Sequence, residues 1–315
     1  VLTVFMHAMS YLGSAGFYIP LLAVLYWCVD PRLAARATVI LSFGSVLNTV
    51  LKLVFHSPRP YWTDPGVTAH ESRVSFGMPS GHAQNAIVAW GYLATLTRRR
   101  IVWAGAVLVI VLIGVSRVYL GVHSTGQVLA GWAIGIVTLV VALRLEPLVV
   151  PWWARRPLAV QVALALVVSL AFLAAAWGAV HALDGWRWPD AWARSIQAAG
   201  GQIRAITLKE SAAATGGLFG ILAGISITAS RGWFDPSGEP LRRLARLPVG
   251  IIGALACYAL DYYLGTNPAM MFAAQALLGL WATAGAPETF VLLRLADRPT
   301  RPVTRAGDGR AEVRQ

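Results

Sequence analysis

The chain has 315 residues, of which 57% are hydrophobic and only 13% charged, a balance that suits a polytopic membrane protein and argues against a soluble domain. Its net charge of +12 comes from 24 arginines and two lysines set against 14 acids. The arginines lie mostly in short loops between apolar runs, which is a pattern of membrane orientation and does not point to a nucleic-acid partner. The two cysteines, Cys28 and Cys257, sit in apolar runs and offer neither a disulfide framework nor metal-ligand spacing. No basic n-region marks a cleavable signal, and the start at Val1 leaves room for a short preceding stretch.

A bilayer core takes about 20 apolar residues per helix. In chain order the qualifying stretches are 13–29, 33–56, 80–97, 101–120, 125–145, 157–181, 209–229, 247–265 and 268–293. The expectation is an all-α polytopic membrane protein with about nine transmembrane helices. The third stretch is the weakest, because Gln84 and Asn85 interrupt its start. The segment before Ser10 is too short to span and is expected along the interface. The chain divides into a six-span core (1–181), a loop (182–208), three additional spans (209–295) and a polar, Arg-rich tail (296–315) that is expected to be unfolded.

Positive charge sets the expected orientation. With the N-terminus and the loops after the second, fourth, sixth and eighth spans outside, 18 of the 26 Lys and Arg fall inside. Four of the eight outside, Lys52, Arg59, Arg73 and Arg117, lie in or beside three polar segments. The tail would then be cytoplasmic.

The first polar segment is KLVFHSPRPYW, residues 52–62. Lys52 lies near the outer end of the second span, where Arg is the default cation of this chain. A lysine there suggests that a compact, strongly hydrated point charge is wanted, although a snorkelling lysine at a helix end is the plainer reading. The second segment is MPSGHAQNA, residues 78–86. Pro79 or Ser80 would begin the third helix, Gly81 permits close approach, and a helix start offers free N–H groups to an anion. Ser80 adds a hydroxyl, and His82 titrates near neutrality. The third segment is SRVYLGVHSTGQVLAG, residues 116–131, in which His123 and Gln127 share one helix face.

The expected topology brings Lys52, Arg59, Ser80, Gly81, His82, Arg117 and His123 to one membrane surface. Together they supply three fixed cations, a hydroxyl, backbone N–H groups and two imidazoles. The nearby acids Asp64 and Glu71 lack ligand spacing, so no metal or other cofactor is expected. A cationic pocket of this kind suits a phosphoryl group.

Lys52-x6-Arg59-Pro60, Pro79-Ser80-Gly81-His82 and Ser116-Arg117-x5-His123 resemble the three signatures of the type-2 phosphatidate phosphatase (PAP2) superfamily, in order and in spacing. This superfamily groups with acid phosphatases and vanadium haloperoxidases. The resemblance implies a phosphohistidine mechanism in which His123 attacks phosphorus and His82 protonates the leaving oxygen. It further implies that Lys52, Arg59, Ser80, Gly81 and Arg117 hold the phosphoryl oxygens.

The family pattern usually ends with an aspartate four residues after the nucleophile, where this chain has Gln127. Gln can accept the imidazole N–H but brings no charge, and it can also present its NH₂ and favour the wrong tautomer. In a serine-protease triad the comparable acid-to-amide change costs ~10⁴ in rate, so a lapsed phosphate-binding protein is the alternative. The glucose-6-phosphatase branch resembles the chain in Arg59-Pro60-Tyr61-Trp62, in the His-x-x-x-Gln ending and in the span count. That branch points to glucose 6-phosphate, whereas the Ala-, Arg- and Val-rich, Lys-poor composition points to a bacterium, so the expected substrate is a phosphorylated lipid of a bacterial plasma membrane, with a sugar phosphate as the alternative. The loop from Tyr61 to Met78 is expected to cover the pocket, and Trp186, Trp188 and Trp192 are expected to form a surface belt.

Overall fold

The computed structural model describes residues 1–202, 206–264 and 267–299, and their regular secondary structure is helical apart from one isolated bridge between Asp235 and Asp297. Helices α1 (Leu2–Tyr11) and α2 (Ala15–Cys28) meet at a 48° bend. Helix α3 (Pro31–Phe55) starts sharply. Asp30 caps it by accepting the N–H groups of Arg32 and Leu33, each at 3.0 Å, and Pro31 presets the first turn. It ends at His56 in the left-handed region, with φ of 31°. The short α4 (Pro60–Thr63) follows, then α5 (Gly81–Thr95), α6 (Arg100–Tyr119), α7 (Thr125–Ala154) and α8 (Leu158–His181). A loop carrying α9 (Asp190–Ala198) leads to α10 (Lys209–Ser230) and α11 (Pro240–Leu264). The last stretch is α12 (Pro268–Leu280), a π-helical turn at Trp281–Gly285, and α13 (Ala286–Leu292).

The all-α membrane architecture expected from sequence is present, with nine spans expected. Among the described residues seven helices are long and apolar enough to cross a membrane, or eight if the bent α1–α2 pair is one broken span. The stretch expected at 80–97 is the 15-residue α5, about 22 Å long at 1.5 Å per residue and short of a bilayer core. It is enclosed by protein: α3, α6 and α7 all pack on it, and Gln84 is fully buried. Its polar residues therefore face neighbours and not lipid. The segment before Ser10, expected along the interface, is helix α1 and packs on α6, with Thr3 Oγ1 3.0 Å from the Tyr119 hydroxyl. Large apolar side chains point outward along α6, α7, α8 and α11, as lipid-facing surfaces require.

Close approach of α5 and α7 depends on two glycines one turn apart. A Cβ on Gly131 would lie 2.6 Å from the Ser80 carbonyl oxygen, and one on Gly135 would lie 2.7 Å from that of Gln84. The three C-terminal helical stretches are not a separate body. Helix α10 packs on α3 and α8 as well as on α12, and Trp27 of α2 stacks edge-on against Phe290 of α13. Arg246, fully buried, donates to the carbonyls of Trp27, Pro236, Ser237 and Leu295 at 2.7–3.0 Å. Glu288 pairs with Arg231 at 3.0 Å and Arg298 at 2.7 Å. The tail from residue 300 onward lies outside the described residues.

Candidate active site

The site lies where the C-terminal ends of α3 and α6 meet the N-terminal ends of α5 and α7. Helix α7 begins with a capping box: Ser124 Oγ accepts from Gln127 N at 3.3 Å, and Gln127 Oε1 accepts from Ser124 N at 3.3 Å. This box sets Gln127 beside the ring of the residue just before the helix, and Oε1 lies 3.2 Å from His123 Nδ1. The amide Nε2 donates to the Pro58 carbonyl at 2.7 Å and to Ser57 Oγ at 3.3 Å. A carbonyl can only accept, so the NH₂ must face Pro58 and the oxygen must face the ring. The other side of the ring gives the same answer. Arg59 Nη1, which can only donate, lies 3.1 Å from His123 Nε2. The proton therefore sits on Nδ1, and Nε2 keeps its lone pair. Both His123 and Gln127 are buried.

Arg59 is 2% exposed and binds carbonyls as well as the ring. Its Nε donates to Ser75 O at 2.7 Å, Nη1 to Val122 O at 2.8 Å, and Nη2 to Ser75 Oγ at 3.1 Å and Phe76 O at 3.3 Å. The guanidinium thus fastens the 75–76 loop to the α6–α7 connection. Lys52 Nζ donates to the same Ser75 Oγ at 3.1 Å.

At the start of α5, Ser80 N donates to Gln127 O at 3.1 Å, tying the second and third polar segments together. The Ser80 hydroxyl is buried and has no partner among the described residues, a free donor where an anion would be held. Gly81 backs onto Asn48, and a Cβ there would lie 3.0 Å from Asn48 Oδ1. Asn48 donates to Gln84 Oε1 at 2.9 Å and Gln84 Nε2 donates to Gly44 O at 2.6 Å, which pins α3 to α5. Asn48, Gln84 and Ser75 were not singled out from sequence as site supports. The available signals are that Asn48 precedes Lys52 by four residues on the same helix face and that Gln84 interrupts an apolar stretch.

Arg117 is 1% exposed and already occupied. Nη2 meets Glu71 Oε1 at 2.5 Å, and Nη1 donates to Ser10 Oγ at the end of α1. Its Nε has no partner among the described residues. Arg73 holds the other Glu71 oxygen at 3.1 Å. Glu71, a lid-loop acid without ligand spacing, and Ser10 are thus the polar groups that cover Arg117.

Burial first, then the surrounding Arg59, Arg117, Lys52 and His82, hold the His123 imidazole well below its usual 6.5. His123 is therefore neutral near physiological pH. Burial raises the Glu71 carboxyl, but Arg117 and Arg73 outweigh it and keep the group below the usual carboxylate range.

The lid is an aromatic cluster. Trp62 (1% exposed) and Phe76 are buried under Trp186, Trp188 and Trp192, with ring centroids 5.3–6.3 Å apart. The Tyr61 hydroxyl donates to Arg73 O at 2.9 Å and accepts from Arg73 N at 3.0 Å. The tryptophans after α8, expected as a surface belt, are half-buried and pack on Trp62 and Phe76. They seal the roof above Arg59, because the apolar backs of Trp62 and Phe76 need cover.

Two family profiles match the chain: "PAP2 superfamily" over residues 33–151, and "PAP2 superfamily phosphatase, transmembrane extension" over 212–298. The chain belongs to the PAP2 superfamily. Among curated relatives, a phosphatidylglycerophosphatase B of Bacillus subtilis is 33% identical over 147 residues, which are 42% of this chain and 68% of that protein. A lipid phosphate phosphatase delta of Arabidopsis thaliana is 31% identical over 154 residues, 44% of this chain but only 37% of the plant protein. An undecaprenyl-diphosphatase of Sulfolobus acidocaldarius is 33% identical over 131 residues, 40% of this chain and 62% of the relative. The PAP2 match at 33–151 contains Lys52, Arg59, Ser80, Gly81, His82, Arg117, His123 and Gln127, and the extension match begins in α10.

Proposed function

We propose that this PAP2 protein is a membrane phosphatase that hydrolyses a lipid phosphate through a phosphohistidine on His123, on the extracytoplasmic side. The observation that carries the reading is the tautomer of His123, with Nδ1–H on Gln127 and a lone pair on Nε2 among four cationic or imidazole groups. The Nε2 lone pair attacks phosphorus, the bond from phosphorus to the lipid oxygen breaks, and His82, as the imidazolium that the incoming phosphate dianion favours, gives that oxygen its proton. Water then attacks the phosphohistidine, His82 takes the water proton, and phosphate leaves. Lys52, Arg59, Ser80 Oγ, the Gly81 N–H and Arg117 bear the equatorial oxygens, where charge gathers. Substrate must first displace Glu71 from Arg117 and loosen the Arg59–His123 bond. The amide of Gln127 is held with its acceptor end toward the ring, which supports an active site over a lapsed one.

Lipid is preferred over sugar phosphate because the relatives are named for lipid substrates. Helices α6 and α7, whose ends carry the site, also have apolar outer faces. The extracytoplasmic placement rests on the arginine asymmetry of the loops. The test is phosphate release by the purified protein from phosphatidic acid, phosphatidylglycerol phosphate, undecaprenyl diphosphate and glucose 6-phosphate, with EDTA present. Release from at least one lipid, blocked by vanadate and lost in His123→Ala, is expected. Normal release by a folded His123→Ala variant would rule the mechanism out.

A further inference from the structure

A cavity of about 570 Å³ opens between the end of α3, the 74–76 loop and the start of α10. The catalytic core lines it with Lys52 and Phe76, and the C-terminal extension lines it with Lys209, Glu210 and Met271. The chain has two lysines against 24 arginines, and both lysines line this one cavity. Lys209 and Glu210 open α10. A carboxylate there complements the partial positive charge of a helix start, whereas an ammonium opposes it. Helix stability thus accounts for Glu210 and leaves Lys209 unexplained. A flexible, compact ammonium is the natural choice where one anionic oxygen must be met without the fixed fork of a guanidinium.

We propose that Lys209 is a specificity-determining residue that binds a second anionic group of the substrate, while Lys52 faces the phosphoryl group to be removed. The shared chemistry is a second phosphate, either directly bonded to the first, as in a diphosphate, or separated from it by a small polar unit, as in a phosphodiester. Phe76 and Met271 give the cavity an apolar wall, which an amphiphile needs and inorganic phosphate does not. The extension thereby becomes part of the substrate site. The assignment of Lys52 rests on the proposed phosphatase reading, whereas the role of Lys209 does not depend on turnover.

The experiment therefore reads binding. His123→Ala protein in detergent, checked for helicity, is titrated calorimetrically in two arms. One arm compares short-chain phosphatidylglycerol phosphate with phosphatidic acid of the same acyl length. The other compares a short polyprenyl diphosphate with its monophosphate. Adding Lys209→Ala is expected to weaken the two-anion member of at least one pair about tenfold and its one-anion partner less than about twofold, in line with a half-exposed charge pair. Glu210→Gln is expected to tighten the same ligand. Equal weakening within both pairs, no change in either, or no binding by any lipid overturns the proposal. Lack of turnover by the wild-type protein would instead count against the phosphatase reading and leave this comparison intact.

Discussion

Gln127→Glu changes one group, the amide NH₂, into an oxygen of nearly the same size. In the protein that NH₂ lies 2.7 Å from the Pro58 carbonyl and 3.3 Å from Ser57 Oγ, in a residue only 3% exposed. The substitution would set two acceptors against each other with no water between them. Losing the donor removes ~1 kcal/mol of net hydrogen bonding, and leaving a buried carbonyl unpaired costs ~1–3 kcal/mol. The negative charge at the start of α7 recovers ~0.3–1 kcal/mol, and the Ser57 hydroxyl can turn its proton toward it. The balance is ~1–3 kcal/mol against the present arrangement, so the ring loses its fixed support. We expect kcat to fall ~10–100-fold, since each 1.4 kcal/mol is about a factor of ten. The added charge also favours imidazolium, so the acid limb of the pH profile should move upward. The assay is phosphate release across a pH series, paired with thermal unfolding in detergent. A variant with wild-type kcat and unchanged thermal stability would refute the claim that the amide, held by Pro58, sets the ring.

Glu71→Gln frees Arg117 for the phosphoryl group and should tighten vanadate inhibition about 5–50-fold, the range of a partly buried ion pair worth ~1–2.4 kcal/mol; weaker inhibition would show that Glu71 helps to hold the anion. Arg59→Lys cannot replace the contacts to Ser75, Phe76, Val122 and His123, so it should lose at least ~2 kcal/mol of stability in denaturant titrations and nearly all activity. Gly131→Val pushes against the Ser80 carbonyl and should reduce kcat and thermal stability together, whereas a surface substitution on α8 such as Val167→Leu should change neither. His123 is held below its usual 6.5, so protonation that removes the nucleophile occurs only at lower pH; after correction for the substrate's own ionisation near about pH 6, kcat/KM should stay flat from neutrality to below pH 6.5. An acid limb above neutrality would contradict that sign.

The sequence makes the gathering of Lys52, Arg59, Ser80, His123 and Gln127 legible because charged and polar groups beside apolar helices are costly and cluster at helix ends. The helical architecture is legible for the same reason. Which apolar stretches face lipid is not, because hydropathy cannot tell a short helix enclosed by protein, such as α5, from one facing lipid. The orientation of Gln127 is also hidden, since it depends on a carbonyl 69 residues away at Pro58. Glu71 on Arg117 and Ser10 beneath it are long-range pairings, 46 and 107 residues apart, with no local signal. The tryptophans at 186, 188 and 192 look like interfacial anchors until their partners Trp62 and Phe76 are known.

The central claim is that His123 becomes covalently phosphorylated. The most direct measurement is rapid quenching of the purified protein in alkali during turnover of a phosphate-labelled lipid, followed by peptide mapping. The account predicts label that survives base, is lost in acid, lies on the peptide containing His123 and is absent from a folded His123→Ala protein. Turnover without any such label, or the same label persisting in that variant, would contradict it.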